Sequence, residues 1–263
     1  MKIDIVFTYK KCDNNLWIIN KINFSVQSVL KFAPWINKIF IVTDDNTINF
    51  MDNKVTIIIT NNPTELYIHT IPELSEVFLY NTCDMFFSNY ISMDDIIKNN
   101  KLIMYNNIKR SPEESEKLIF TSNILNDIYV QNEENKHNHM CMCLYTTTIK
   151  VVPINLIYNN NTKVLRKSTL RFINYKYRNL IHNNMLNYMF FVINIGNIIN
   201  EYNVIDEKES IKYCMFHNFT RDYNMNDNIF NINNFDYKFI CYNNMNQTYK
   251  EPFEKLMKQI LNK

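Results

Sequence analysis

The sequence predicts an α/β fold, a single domain built on a mainly parallel sheet flanked by helices. Three observations lead there. Strand-like and helix-like segments alternate through the first third of the chain, the pattern of parallel strands joined by crossover helices. The apolar run Phe78–Phe87 (FLYNTCDMFF) ends by presenting one carboxylate, Asp84, beside Cys83. Open α/β sheets form their ligand crevices where strands end in this way. Finally, no Pro-, Gly- or Ser-rich linker and no repeat divides the 263 residues, a length that sustains one large core.

The elements follow in order. Ile3–Tyr9 reads as a first buried strand. Asn20–Phe32 carries Ile22, Val26, Val29 and Leu30 at helical spacing, and Pro34 ends it. Lys38–Thr43 (KIFIVT) is a second strand leading into the acidic turn Asp44-Asp45-Asn46, and Val55–Thr60 is a third. Pro63 suits the first turn of a short helix through Ile71, and Val77–Thr82 is the fourth strand. The crevice is expected at Tyr9–Asp13, Thr43–Asn46 and Thr82–Asp84. Beyond it, Ser92–Lys98 reads as a helix capped by Ser92, Lys101–Tyr105 as a strand and Glu113–Val130 as a helix. His137–Leu144 follows a polar loop. Asn183–Asn200 reads as a long aromatic and aliphatic helix whose stripe Leu186, Met189, Phe190, Ile193 is core. Ile211–Phe216 and Tyr237–Tyr242 are late strands, and Glu251–Leu261 is a terminal amphipathic helix.

Composition narrows function by exclusion. With one glycine, Gly196, no Walker loop, GxGxxG turn or GxSxG elbow can be written. The net charge of +2 comes from scattered lysines and arginines without a basic stripe, which argues against nucleic acid as partner. Six cysteines form no CxxC pair, and Cys141-Met142-Cys143 is a poor zinc site, so reduced, mostly buried thiols in a cytoplasmic setting are expected. Strand-like sequence from the first residues leaves no room for a signal peptide, and no apolar run reaches membrane-spanning length. The abundance of Asn, Ile, Lys and Tyr reads as an AT-rich genome; the sequons at Asn160, Asn218 and Asn246 are then accidental.

Several segments, in order along the chain, resemble the Stealth family of sugar-phosphate transferases, which includes bacterial capsule polymerases and the GlcNAc-1-phosphotransferase that marks lysosomal enzymes. IDIVFTYKKCD (Ile3–Asp13) is similar to the family's opening IDxVYTWVDG. FSVQSVLKFAPWINKIFIVTD (Phe24–Asp44) follows YSLRSxxxxAPWVRxIxIVTD almost residue for residue. PTELYIHTIPELSEVFLYNTCDMFF (Pro63–Phe87) resembles AIExxLHxIPGLSExFxYxNDDxFF. HMCMCLY (His139–Tyr145) resembles HxPxxxD, YKYR (Tyr175–Arg178) the HxxR segment, KFICYNN (Lys238–Asn244) KFxCxND, and EPFEK (Glu251–Lys255) the closing SxFE.

This resemblance implies a Rossmann-like or GT-A-like fold, with residues 1–105 binding a nucleotide sugar and 106–263 completing the site. It implies transfer of a hexose-1-phosphate from a UDP-GlcNAc-like donor to a glycan hydroxyl, with release of a nucleoside monophosphate and use of Mg²⁺ or Mn²⁺. By position, Asp84 and Glu65 become catalytic and metal-holding carboxylates, His139 the base for the acceptor proton, and Arg178 a partner for phosphate oxygens. Asn243, Asp13 and Asp44 become donor-positioning residues. His69 fits the third segment as either a cap or a packing residue. The chain also departs from the pattern. Cys83 stands for the first acid of NDD and Thr82 for its Asn, Lys11 for the Asp of TWVDG, Asn23 and Gln27 for arginines, and Asn244 for the last Asp. A thiol is a poor ligand for a hard cation. A degenerate nucleotide-sugar or glycan-binding domain and a conventional glycosyltransferase therefore remain as alternatives.

Overall fold

The computed structural model describes residues 1–11, 16–61, 65–106, 120–129, 162–182, 187–210, 212–218, 237–243 and 249–263. The chain forms β1 (Asp4–Tyr9), α1 (Leu16–Phe32), β2 (Ile39–Thr43), β3 (Val55–Ile59), a 3₁₀ turn (Glu65–Thr70) and β4 (Val77–Thr82). β5 (Met85–Phe87), a second 3₁₀ turn (Met93–Asp95), β6 (Ile97–Lys98), β7 (Lys101–Tyr105) and α2 (residues 120–129) come next. Then follow β8 (Lys163–Arg166), α3 (Lys167–Lys176), α4 (Arg178–His182), α5 (Tyr188–Ile198), β9 (Tyr202–Ile205), α6 (Glu207–Ser210), β10 (Cys214–Asn218), β11 (Phe239–Asn243) and α7 (Lys250–Asn262).

The main sheet has the order β3-β2-β1-β4-β8, parallel except for β8, which runs antiparallel to β4 at one edge. β1, β2 and β4 are almost wholly buried, as expected of parallel strands covered on both faces, whereas β3 at the other edge is half exposed. One carboxylate fixes the end of the sheet opposite the expected crevice. Asp4, fully buried, accepts hydrogen bonds from Asn37 Nδ2 (2.7 Å) and the Lys38 N–H (3.0 Å) before β2, and from the Ser75 N–H and Oγ (both 2.7 Å) before β4. Nearby, the buried Lys167 ammonium donates to the carbonyls of Ile71, Pro72 and Leu74, holding the turn that feeds β4.

Two small sheets complete the molecule. β5 joins β11 and β10 in the order β10-β11-β5, so the turn after β4 passes the chain from one sheet to another at Asp84. β6, β7 and β9 form the third. Helix α1 lays Ile22, Val26 and Val29 into the core and grips β5 through its serines. Ser25 Oγ donates to the Met85 carbonyl (2.9 Å), and Ser28 Oγ accepts the Phe87 N–H (3.0 Å). From α7, Phe253 packs between Phe24 of α1, Phe86 of β5 and Tyr242 of β11, with ring centroids 5.2–5.8 Å apart. Met189, Phe190 and Ile193 are core as expected; Leu186 lies outside the described residues.

Some sequence expectations are corrected. Ser92–Lys98 is not a helix: the 3₁₀ turn is only Met93–Asp95, and a strand begins at Ile97. The acids read there as a first helical turn have another use. Asp95 accepts from the Ser92 N–H (2.8 Å) and Oγ (2.7 Å) and pairs with Lys238 (2.6 Å). Asn99 and Asn100, at φ 53° and 63°, then make the two-residue left-handed turn of the β6–β7 hairpin. β8 and β9 were not anticipated, and the late strands begin two or three residues further on than expected. The segment from Pro63 is a 3₁₀ turn over its described part, Glu65–Thr70. The expected helix at Glu113–Val130 is seen over 120–129; its other residues and His137–Leu144 lie outside the described residues.

Candidate functional site

The C-terminal ends of β1, β2 and β4 meet as the sequence predicts, and each contributes polar groups. On β4, the Tyr80 hydroxyl donates to Glu65 Oε1 (2.9 Å), so its oxygen is left to accept from Thr8 Oγ1 of β1 (2.8 Å). Burial, reinforced by the Glu65 charge, pushes the Tyr80 phenol well above its ordinary value and keeps it a donor. Glu65 is therefore half-buried and fixed against the sheet.

One turn further, Asp84 lies between β4 and β5 with its side chain 22% exposed. Its Oδ1 accepts from Lys21 Nζ of α1 at 2.7 Å, and that lysine side chain is only 7% exposed. The neighbouring thiols are electrostatically tied to this pair. Burial, then the Asp84 charge, pushes both Cys83 and Cys241 far above the ordinary thiol range, so both are protonated at neutral pH. The fourth ionisable group is Lys163, which opens β8 opposite Tyr80 with Nζ 5.6 Å from the Tyr80 ring centroid. Burial holds its amine down to about 8, against the upward pull of Cys241 and Glu65.

At the end of β2 the two acids divide. Asp44 accepts the Lys11 N–H (2.6 Å), tying the exit of β1 to the exit of β2. Asp45 is fully buried and accepts from the Thr47 N–H (3.0 Å), Thr47 Oγ1 (2.7 Å) and Tyr9 Oη (3.3 Å), with Lys11 Nζ 3.5 Å away. Burial pushes its pKa up, but these hydrogen bonds and the Lys11 charge outweigh it and hold the carboxyl below its usual range.

The structure thus brings Glu65 and Asp84 to the crevice. The Tyr242 N–H bonds the Asp84 carbonyl (2.9 Å), which also sets Asn243, the last residue of β11, beside the same turn. Arg178 opens α4 and is exposed. His139 and Asp13 lie outside the described residues. His69 is half-buried, and burial with the Arg171 and Lys167 charges lowers its imidazole, in keeping with a packing role. Sequence reasoning missed Lys21, Tyr80 and Lys163. Lys21 had a signal: it falls on the buried stripe of α1 with Ser25, Ser28 and Phe32, where a lysine needs a partner. Lys163 had none.

The described residues do not make a divalent-cation site. Asp84 already pairs with an ammonium and Glu65 accepts a phenol, and around them stand thiols and amines. No three metal-capable side chains converge among the described residues. The Mg²⁺ or Mn²⁺ implied by the resemblance has no ligand set there.

Comparison with known proteins bears on fold and kinship separately. The galactosyltransferase LgtC, solved with donor and acceptor sugar analogues, matches 97% of this chain and 95% of its own with a TM-score of 0.52 at 11% identity. The fold is therefore the α/β, GT-A-like one. No family model matches the chain. In sequence it is 32% identical over 98 residues to a capsular polysaccharide phosphotransferase of Actinobacillus suis. It is 31% identical over 96 residues to the receptor polysaccharide phosphotransferase WefC of Streptococcus oralis. Over those stretches the chain is similar to named polysaccharide phosphotransferases. The matched stretch is 30–31% of this chain and 26–29% of those relatives. Kinship thus rests on about a quarter of the relatives' length, whereas the likeness in fold covers 97% of this chain. Among the described residues no helix is long and apolar enough to cross a membrane.

Proposed function

We propose that this chain is a sugar-phosphate transferase that takes hexose-1-phosphate from a nucleotide sugar to a hydroxyl of a glycan. The observation that carries the reading is Asp84, a carboxylate presented at the C-terminal crevice of a GT-A-like sheet in a chain whose sequence relatives are named polysaccharide phosphotransferases. With a UDP-GlcNAc-like donor, the acceptor oxygen attacks the phosphorus that bears the sugar. The new P–O bond forms as the bond from that phosphorus to the bridging oxygen breaks, and UMP leaves with the bridging oxygen. The acceptor proton passes to a base, the role assigned to His139. Asp84 and Glu65 orient the acceptor hydroxyl and the sugar, Arg178 meets phosphate oxygens, and Asp13, Asp44 and Asn243 line the donor side.

A second reading has its own observation. Cys83 stands where the family pattern has an acid, and Asp84 is held by Lys21, which suits a domain that binds the nucleotide sugar without turning it over. Incubation with UDP-sugars and mixed glycan acceptors, followed by identification of the nucleotide, decides. UMP is the expected product. UDP would mean ordinary sugar transfer, and binding without release would mean the degenerate domain. His139→Ala is expected to lower UMP release by about 10²–10⁴-fold; an unchanged rate would remove His139 from its role.

A further inference from the structure

The outward face of α3 is not built like the solvent side of an ordinary amphipathic helix. Leu170 and Ile173 go into the core, and the exposed stripe is Ser168, Arg171, Phe172, Tyr175 and Lys176, at helical spacing. Two aromatics stand in it: Tyr175 is 88% exposed and Phe172 45%, so neither is placed to fill the core. The end of the stripe is held by rings. Phe172 meets Tyr177 edge to face with centroids 6.4 Å apart, and Lys176 Nζ lies 5.4 Å and 5.5 Å from those two centroids. Tyr177 in turn packs edge to face on buried Phe191 at 5.1 Å. Charge gathers here too. Residues 166–182 carry Arg166, Lys167, Arg171, Lys176 and Arg178 and no Asp or Glu. Arg166 and Lys167 are engaged by Glu201 and by backbone carbonyls, whereas Arg171 and Lys176 are exposed. The 3₁₀ turn Glu65–Thr70 joins this face to the crevice. β8 starts opposite Tyr80 and ends opposite Val77, so α3 begins at the far end of the sheet, where Lys167 holds the carbonyls of Ile71, Pro72 and Leu74. From there α3 packs along the turn, whose other end is Glu65 at Tyr80, and α4 follows, opened by Arg178.

We propose that this face, through Arg171, Phe172, Tyr175 and Lys176, is where the acceptor glycan lies, and that the acceptor is an anionic chain already bearing phosphodiesters. The inference deepens the transferase reading and rests on it for the identity of the ligand. Each transfer of hexose-1-phosphate to a hydroxyl leaves one phosphodiester, so a chain extended even once presents negative charge beside its sugar rings. The aromatic faces take the apolar C–H faces of the sugars, and Arg171 and Lys176 meet the phosphodiester oxygens. Phe172 and Tyr175, three residues apart, are neighbours on one side of the helix, so a chain crossing both rings also passes the two cations. Because Tyr177 anchors Phe172 and Lys176, little further ordering is needed on binding. Other anionic surfaces match the stripe less well. A helix that lies on a membrane needs a broad apolar face, and this stripe has no exposed aliphatic residue. A nucleic-acid strand is held by cations that follow many successive phosphates, and the stripe offers two.

The test is binding of two synthetic oligosaccharides of the same hexose to the full chain, one joined through phosphodiesters and one through glycosidic bonds. Microscale thermophoresis at low and raised salt reads both. The phosphodiester oligomer is expected to bind about tenfold tighter, by a margin that shrinks as salt rises. F172A and Y175A are each expected to weaken both oligomers about three- to tenfold. R171Q/K176Q is expected to remove the margin and leave the neutral oligomer bound. Thermal melts and UDP binding report whether each variant keeps its fold and its donor side, and Y175A, at the most exposed position, carries the test should F172A loosen the helix. Unchanged affinity for both oligomers in Y175A and R171Q/K176Q overturns the proposal, as does equal binding of the two oligomers by the wild type. Tighter binding of phosphatidylglycerol vesicles or of an oligothymidylate, lost in the same variants, overturns it as well, by assigning the face to a membrane or to nucleic acid. The two readings fail separately. Oligomer binding that depends on this face, in a protein that never releases UMP, upholds the acceptor face and sinks the transferase. UMP release with the phosphodiester oligomer at wild-type KM in Y175A and R171Q/K176Q does the reverse.

Discussion

The single glycine of the chain has a steric reason that only the fold reveals. Asn200, at φ 64°, ends α5 in the left-handed region, and the Glu201 N–H returns to the Gly196 carbonyl (2.9 Å), so the chain folds back and lays Tyr202 over the helix. A Cβ at Gly196 would stand 2.5 Å from Tyr202 Cε2, and Tyr202 is 5% exposed with little room to move. Gly196→Ala would gain about 1 kcal/mol of helix propensity. Overpacking is expected to outweigh this, for a net loss of roughly 1–2 kcal/mol. Denaturant unfolding measures that loss, and adding Tyr202→Leu should recover part of it if the clash is the cause. Lys163 makes a second residue-scale case. Its amine is held at about 8 in the fold against 10.5 unfolded, so between those values the unfolded chain binds more protons and stability contributed by this group rises with pH. Below about 8 the penalty is fully present, roughly 3 kcal/mol. Lys163→Met is therefore expected to melt higher than wild type at pH 7, with the gap closing between pH 8 and 10.5. Comparing the two proteins cancels the buried thiols and tyrosines, which act in the opposite sense at alkaline pH. A constant gap across that range would mean Lys163 is not buried in its charged form. The candidate site was half legible for a related reason. Asp84 and Glu65 lie in segments whose pattern is local, whereas Lys163 reaches the site through an antiparallel pairing of residues 77–80 with 163–166, which no local pattern encodes.

At the scale of elements, much of the matched sequence pattern proves to be architecture. Asp4 and Ser75 tie β1 to the entry of β4, Ser25 and Ser28 clasp β5 to α1, and Trp35 Nε1 donates to the Ile91 carbonyl at 2.6 Å. Of these, only Ser25 and Ser28 act beside the β4–β5 turn, where the proposed site lies; the Asp4 tie fixes the opposite end of the sheet. Asp4→Asn tests how much the first tie matters. The new amide would turn a donor toward groups that are themselves donors, either Asn37 and Lys38 or Ser75. A loss of roughly 3 kcal/mol is expected, because buried donors then lack acceptors. Chemical denaturation with an unchanged m-value would confirm it, and a loss below about 0.5 kcal/mol would mean that the ends of β2 and β4 are held by their strands alone. The same scale explains which elements were legible. β1, β2 and β4 are continuous apolar runs, and α1 has a clear stripe, so burial writes them directly into the sequence. β6 is two residues whose existence depends on a left-handed Asn99-Asn100 turn, and β9 depends on pairing with β7. Ser92 and Asp95 do form a capped turn, with Asp95 also paired to Lys238, but the chain continues from it into the β6–β7 hairpin rather than a helix.

At the scale of the molecule, the question is whether this fold carries its charge in protein groups or in a bound cation. The sheet and the crossing into the second sheet set Asp84 at the end of β4, where the group beside it is a protonated thiol and the group against it an ammonium. Restoring an acid at that position should expose the difference. In Cys83→Asp a second carboxylate would enter a largely buried turn beside Asp84, with Lys21 able to neutralise only one of the two. Like charges at such range oppose folding, and a loss of roughly 2–3 kcal/mol is expected in EDTA. A divalent cation would relieve it, because paired carboxylates are the hard oxygen ligands that a thiol and a carboxylate are not. Cys83→Asp is thus expected to melt several degrees below wild type in EDTA and to regain stability as Mg²⁺ or Mn²⁺ is added, while wild type should show little response. Differential scanning fluorimetry across a cation titration reads both proteins at once. An equal cation-dependent rise in the wild type would show that the native fold already holds a metal, assembled with ligands other than the carboxylates at the β4–β5 turn. A flat response in both would mean that Lys21 keeps the turn closed to cations even when two acids are present.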